Sequence, residues 1–238
     1  MTGPRPLADE LYAGPGLVPF GVATVVKFGG SLLFDVAVAQ RVAAVLAAAA
    51  EPVLVFPGGG PTDKTIEALA RTIGFDGVTI NPACMRALDQ TGILLAAMED
   101  RLAAVEDLAA ARAVLARGEV PVLLPSRLIL GLDVFTRADV ITSDSLGAYF
   151  AFLVGAHRYV VLTDVDGVYE SVAGAELIRS VTVDELLAHG ATSVDSCLAP
   201  FLRTVRMPAW VLNGHHPERL AELLGGGEPL GTRIDVGS

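Results

Sequence analysis

Lysine occurs only twice in these 238 residues, against fifteen arginines, and one of the two, Lys27, ends an apolar run and opens Lys27-Phe28-Gly29-Gly30-Ser31. Adjacent glycines let a backbone approach a ligand closely and offer unshielded N–H groups to an anion. A lysine beside them supplies the point charge that a phosphoryl group requires. An incidental lysine at a strand-to-helix turn is the alternative, and the scarcity of lysine favours function. Pro57-Gly58-Gly59-Gly60-Pro61 follows the next apolar run. Three consecutive glycines carry an entropic cost that a plain connector does not require. Neither loop fits a Walker A pattern, and no GxGxxG opens a helix. Together the two loops still point to one shared anion site. Further on, Ser143-Asp144-Ser145 precedes a helical stretch. Asp144 there is either a helix N-cap or a carboxylate that organises a lysine or a metal ion. Thr163-Asp164-Val165-Asp166-Gly167-Val168-Tyr169 closes the strongest apolar run of the second half. It reads as an ordinary turn or as the lining of a nucleotide's ribose and phosphates.

These segments must be positioned by the elements around them. Residues 22–26 and 52–56 are almost wholly apolar and rich in Val, as strands buried on both faces are. Residues 120–124, 159–163 and 209–212 follow suit. Helical spacing marks 35–50, 62–73, 82–102, 106–117, 145–154, 196–204 and 217–224. A capping box at Thr182 and Glu185 opens a short helix to His189. This alternation predicts an α/β fold, a three-layer α/β/α sandwich with a mostly parallel central sheet. An irregular arm rich in Pro and Gly precedes it over residues 1–20. Ligands of such sheets bind beyond the carboxyl ends of the strands, where the candidate segments fall.

Hydrophobic residues make up 52% of the chain and charged residues 18%, which suits a packed core and not a disordered segment. The longest uncharged stretches fall short of the roughly 18 to 20 apolar residues that span a bilayer. The N-terminus lacks a basic region ahead of an apolar one, so a cytoplasmic protein without an export signal is expected. A net charge of −10 disfavours nucleic acids and anionic membranes as partners. Cys84 and Cys197 form neither a disulfide framework nor a CxxC pair. His215 and His216 have no spaced partner, so no metal site built from protein side chains is expected.

Lys27-Phe-Gly-Gly-Ser31, Gly58-Gly-Gly60, Thr142-Ser-Asp-Ser145 and Leu162-Thr-Asp-Val-Asp-Gly-Val-Tyr169, in that order, resemble the amino acid kinase superfamily. The likeness runs from about Val22 to Ile234. It implies one domain over residues 21–238, with the phosphoryl acceptor in the half from about 21 to 135 and ATP in the half from about 136 to 238. By this resemblance Lys27 stabilises the transferring phosphoryl group and Asp144 orients that lysine. Gly29, Gly30, Ser31, Gly58, Gly59 and Gly60 surround the acceptor and the γ-phosphate. Thr163, Asp164, Asp166, Gly167 and Tyr169 become the nucleotide-binding segment. Transfer in the family is direct and in line, so positioning and charge neutralisation suffice, and Mg²⁺ bridges the ATP oxygens. A small-molecule substrate and a homo-oligomer, dimer or higher, are also implied.

Many members carry a glycine pair and a second lysine in the last third. Here Thr192 to Arg203 has neither, and Arg203 or Arg206 is the expected substitute. The ending Val211-Leu-Asn-Gly-His-His-Pro-Glu-Arg219, then Gly231-Thr-Arg-Ile234, with Val194-Asp195 upstream, resembles the branch holding aminomethylfuran phosphate kinases and uridylate kinase-like proteins. Molybdenum storage proteins have a similar ending. Asp89-Gln90 resembles an acceptor-side pair of that branch, or is a solvated helical face. Lys64 is either solvated or a second phosphate contact. The expected function is an ATP-dependent kinase of a small, phosphate-bearing acceptor. The alternatives are ATP-driven molybdate or tungstate storage and a catalytically weak regulatory homologue.

Overall fold

A computed structural model describes residues 21–132, 141–170, 176–189 and 193–237; the arm expected over residues 1–20 lies outside them, as does Thr192. Strands β1 (Thr24–Phe28), β2 (Val53–Pro57) and β9 (Ala209–Asn213) are buried at every position, and β5 (Arg158–Thr163) at its four central ones. Only apolar, β-branched runs tolerate a sheet covered on both faces. The remaining strands are β3 (Leu102–Val105), β4 (Val120–Leu123), β6 (Val168–Tyr169), β7 (Leu177–Ile178), β8 (Ser180–Thr182) and β10 (Thr232–Asp235). Eight of them form one sheet in the order β3-β4-β2-β1-β5-β9-β10-β8, and β6 and β7 pair separately. Within the large sheet every pairing is parallel except β9 with β10. The sandwich with a mostly parallel sheet is thus the architecture observed.

A 3₁₀ turn spans Gly30–Phe34, and the helices are α1 (Val36–Ala47), α2 (Gly60–Ile73), α3 (Gly77–Ala96), α4 (Leu108–Ala116), α5 (Ser126–Leu132), α6 (Ser143–Leu153), α7 (Val183–His189), α8 (Leu198–Val205) and α9 (Pro217–Leu224). Side chains alternate along each strand, and two apolar clusters result. Val26, Phe28, Val55 and Leu162 pack with Val42 and Leu46 of α1 and Leu220 of α9. Val25, Phe56 and Val161 pack on the other face with Leu88 of α3, Phe150 of α6 and Phe201 of α8. Lys27, two residues from Val25, therefore points into the layer that holds α3 and α6.

Most element boundaries shift by one to three residues from the sequence expectation, and three differences have a visible cause. The helix expected over 82–102 runs from Gly77 to Ala96, because the Asp76 carboxylate caps it by accepting from Thr79 N at 2.8 Å; Pro82 then falls inside it. Its expected tail becomes β3, whose alanines carry little strand preference. Register against β4, Leu102 opposite Val120 through Val105 opposite Leu123, decides that segment. The helix expected from Ser145 begins at Ser143. The capping box forms as read, with Glu185 N donating to Thr182 Oγ1 at 3.2 Å and Thr182 N to Glu185 Oε2 at 2.8 Å.

Candidate active site

β1 and β2 are parallel neighbours with Phe28 opposite Pro57, so the two glycine loops leave the sheet side by side. Gly58 N donates to Phe28 O, and Gly29 N to Leu162 O, each at 2.8 Å. The loops touch backbone to backbone. A Cβ on Gly58 would lie 2.7 Å from Gly30 N, and one on Gly30 would collide with the Gly60 backbone. Gly60 also adopts φ +65°, the left-handed region that side chains disfavour, and a Cβ there would press on Thr91 Oγ1 at 2.8 Å. The glycines are thus demanded by the contact between the loops as well as by any ligand.

Lys27 Nζ lies 2.7 Å from Asp144 Oδ1, and each residue is only 8% exposed. A buried charge without a partner is costly, and each charge here offsets the other. Asp144 stands in the first turn of α6, where the helix N-terminus also favours a negative charge. It is not the N-cap: Thr142 holds that position, and its Oγ1 accepts from Asp144 N at 3.3 Å. The heavier capping comes from Asp195. Its carboxylate accepts from Thr142 N at 3.1 Å, Ser145 N at 3.0 Å, and the hydroxyls of Thr142 and Ser145 at 2.8 and 2.5 Å. It also accepts from Cys197 N and Leu198 N, at 2.9 and 3.0 Å, where α8 begins. Asp195 N in turn donates to Asp144 Oδ2 at 3.3 Å. Beneath them the Tyr159 hydroxyl donates to Asp144 O at 2.8 Å. Burial, helped by the charges of Asp144 and Asp195, holds that phenol well above its ordinary pKa.

Two hollows meet at this pair. A cavity of about 560 Å³ is lined by Lys27, Gly29, Gly30, Ser31, Gly59 and Gly60 at one end, and by Phe34, Ile80, Met85 and Leu88 at an apolar wall. Lys64 lines it too, in an ion pair with Glu67 at 3.0 Å. A shallower cleft of about 350 Å³ is lined by Thr163, Asp164, Val165, Ser193, Val194 and Asp195. Thr142 and Asp144 line both hollows.

Other sequence-designated residues lie outside these linings. Gly58 is taken up by the loop contact. Asp89 accepts from Ser126 N at 3.0 Å and from the Ser126 hydroxyl, and Gln90 accepts from the Thr62 hydroxyl at 3.0 Å. Asp166 accepts from Asn213 Nδ2 at 3.0 Å and Arg219 Nη1 at 2.5 Å, and the Arg219 guanidinium foremost holds its carboxyl below the usual range. Gly167 allows close approach of Leu177 and Thr232 and its carbonyl accepts from the Ser193 hydroxyl at 2.8 Å; Tyr169 lies in the β6–β7 hairpin. Arg203 forms an exposed ion pair with Asp184 at 3.3 Å, and Arg206 donates to Gly237 O at 3.0 Å. Neither arginine lines the cavity or the cleft. Arg219, mostly buried at 13% side-chain exposure, is instead the cation tied to the Asp164–Tyr169 segment. Sequence reading gave no role to Arg219, Asp195 or Asp63. Asp195 and Arg219 left a signal, in the Val194-Asp195 pair and at the end of the Val211–Arg219 segment.

The model of the amino acid kinase family matches residues 23–213, and the chain belongs to that family; it is a phosphotransferase. Among curated relatives, the [5-(aminomethyl)furan-3-yl]methyl phosphate kinase of Methanocaldococcus jannaschii is 28% identical over 214 residues, spanning 88% of this chain and 96% of the relative. The uridylate kinase of Haloarcula marismortui is 29% identical over 232 residues, 88% of this chain and 97% of the relative. The same fold is seen in the crystal structure of uridylate kinase from Archaeoglobus fulgidus (TM-score 0.70, 21% identity, 90% of this chain and 100% of that one). It recurs in UMP kinase from Bacillus anthracis (TM-score 0.73, 16% identity, 93% and 98%). No helix among the described residues is long and apolar enough to cross a membrane.

Proposed function

We propose that this chain transfers the γ-phosphoryl group of ATP, in line, to a small acceptor that already bears a phosphate. The observation that carries the reading is the buried Lys27–Asp144 pair at the junction of two hollows, with glycine loops on its acceptor side. Lys27 neutralises charge on the phosphoryl group in flight, and Asp144 fixes the ammonium so that no reorganisation is needed during transfer. The N–H groups of Gly29 and Gly58 are already taken by Leu162 and Phe28. The donor set for phosphate oxygens is therefore Gly30, Ser31, Gly59 and Gly60. ATP occupies the cleft beside Thr163 and Asp164.

The carboxylates of Asp144 and Asp164 are hard oxygen donors of the kind Mg²⁺ accepts, and the ion when bound neutralises the ATP oxygens. Among the described residues no group of three or more His, Cys, Asp or Glu comes together as a cage. With only these two carboxylates at hand, a bound Mg²⁺ would take its remaining ligands from phosphate oxygens and water.

The acceptor panel begins with the substrates named for the relatives, [5-(aminomethyl)furan-3-yl]methyl phosphate and UMP. ATP-dependent transfer is measured for wild type and Lys27→Ala. A loss of about a thousandfold is expected, in line with removal of a charge that acts on the transition state; equal rates reject the reading. A homo-oligomer fits the exposed apolar side chains of Leu69, Ile73, Phe75 and Val78, where α2 leads into α3. Sedimentation of wild type against Ile73→Asp tests that face, and an unchanged mass rejects it.

A further inference from the structure

Asp144 divides its two oxygens between two partners. Oδ1 lies 2.7 Å from Lys27 Nζ, and Oδ2 accepts from Asp195 N at 3.3 Å. The torsion that turns an aspartate carboxyl is broad. One contact leaves the plane of the carboxylate free, and two fix it. The direction in which Lys27 offers its charge is therefore set partly by a residue that does not touch Lys27.

Asp195 is itself held at both oxygens. Oδ2 accepts from Thr142 N, Thr142 Oγ1 and Ser145 N, which flank Asp144 at the start of α6. Oδ1 accepts from the Ser145 hydroxyl and from Cys197 N and Leu198 N at the start of α8. Val194 and Leu198, on either side, are buried in the core. One residue thus caps the helix that carries Asp144 and also reaches the Asp144 side chain with its own N–H. Asp195 makes no ion pair among the described residues. Its charge is met by these donors and by the positive ends of two helices, which leaves the Lys27 ammonium to Asp144.

We propose that Asp195 is a positioning residue for phosphoryl transfer. It fixes the Asp144 carboxylate through the start of α6 and through its own N–H, and Asp144 in turn holds the Lys27 ammonium in one orientation. Asp195 also lines the cleft, with Ser193 and Val194, so cleft and ion pair are kept in register with each other. It acts through Asp144 and touches no reacting atom. The inference rests on reading Lys27 as the group that neutralises the phosphoryl in flight.

The scarcity of lysine supplies the test, because isotope-labelled lysine gives NMR signals from only two side-chain ammonium groups. Lys27 is 10% exposed at its side chain and Lys64 68%, so the two are readily told apart. Exchange of the Lys27 ammonium protons with water is measured well below the melting transition in wild type, Asp195→Asn and Asp195→Ala. It is expected to quicken by about tenfold or more in Asp195→Ala and by less in Asp195→Asn, with Lys64 unchanged. Should Asp195→Ala fail to fold, Asp195→Asn carries the test. An unchanged Lys27 signal overturns the proposal, whereas global destabilisation alone would leave that signal in place. Transfer is then followed with UMP or [5-(aminomethyl)furan-3-yl]methyl phosphate, whichever wild type phosphorylates faster. Asp195→Asn should lower kcat by about tenfold to a hundredfold, as a small misplacement does, with both KM values within about threefold of wild type. On an Asp144→Asn background the same substitution should cost no more than about threefold; losses that multiply overturn the proposal. A Lys27 signal that depends on Asp195, in a chain with no ATP turnover, would reject the kinase reading and leave the hold on the pair standing. Turnover and a Lys27 signal both indifferent to Asp195 would do the reverse.

Discussion

The two sides of the Lys27–Asp144 pair are built from different materials. On the side of the glycine loops the geometry is set by main chain against main chain, with Gly30, Gly58 and Gly60 in contact across two loops. On the side of Asp195 it is set by side chains, with the Asp195 carboxylate gathering six donors from two helix starts and Asp166 clamped by Asn213 and Arg219. A backbone contact has no rotamer to yield, so an added methyl group must move the chain itself. A carboxylate hub can lose one bond and keep the rest. The first side should therefore fail abruptly on substitution and the second by degrees.

Gly30→Ala puts the contrast under the greatest strain. Its Cβ meets the Gly60 backbone, and a loss of more than about 3 kcal/mol is expected, with transfer abolished; calorimetric melting and ATP turnover check both. A variant as stable and active as wild type would break the contrast. Asp195→Ala comes next. Leaving four part-buried donors unsatisfied is expected to destabilise by about 3 kcal/mol. Asp195→Asn, which keeps some acceptor capacity, should cost about half as much, and that gradation is what a side-chain hub predicts. A loss in Asp195→Asn as large as in Asp195→Ala would sink it.

A smaller effect tests the Asp166 clamp through pH. Its carboxyl is depressed in the fold by Arg219 and Asn213 from an ordinary value of 3.8. The resulting stability is present above that value and is lost as pH falls below it, through the folded-state pKa. The group is part-exposed, so the contribution should stay below about 1 kcal/mol. Wild type should lose stability more steeply than Asp166→Asn below about pH 4, and parallel acid titrations of Tm would refute the clamp. Smallest of all is Gly131→Ala in α5, where a Cβ meets open space. A helical alanine there should gain up to about 1 kcal/mol, the opposite sign to Gly30→Ala. Destabilisation would show that glycine as such, and not crowding, decides these positions.

The same division explains what the sequence disclosed. Val22–Val26, 52–56 and 209–212 announced buried strands because burial on both faces leaves an apolar run that only tertiary cover can explain. The glycine loops and Lys27 stood out because residue type alone marks them: consecutive glycines and a rare lysine. Asp195 was named without a role because its partners, Thr142 and Ser145, lie about fifty residues away and meet it only once α6 and α8 pack. Arg203 and Arg206 lie near the missing motif along the chain, whereas Arg219, which Asp166 holds at the start of α9, has no mark of that kind; none of the three lines either hollow. β3 was read as a helical tail because Leu102-Ala-Ala-Val105 gains its strand character from β4, not from its own composition.

The contact between Gly30 and Gly60 also ties the lengths of the two loops together. Surface loops commonly absorb an extra residue at little cost. An insertion in either of these would wedge the other aside and pull Lys27 out of line. Change in the shape of the cavity is therefore channelled onto α2 and α3, where Asp63, Ile80, Met85 and Leu88 line it without bracing the opposite loop. A library meant to reshape that cavity belongs on those helices, with both glycine segments left at their present length.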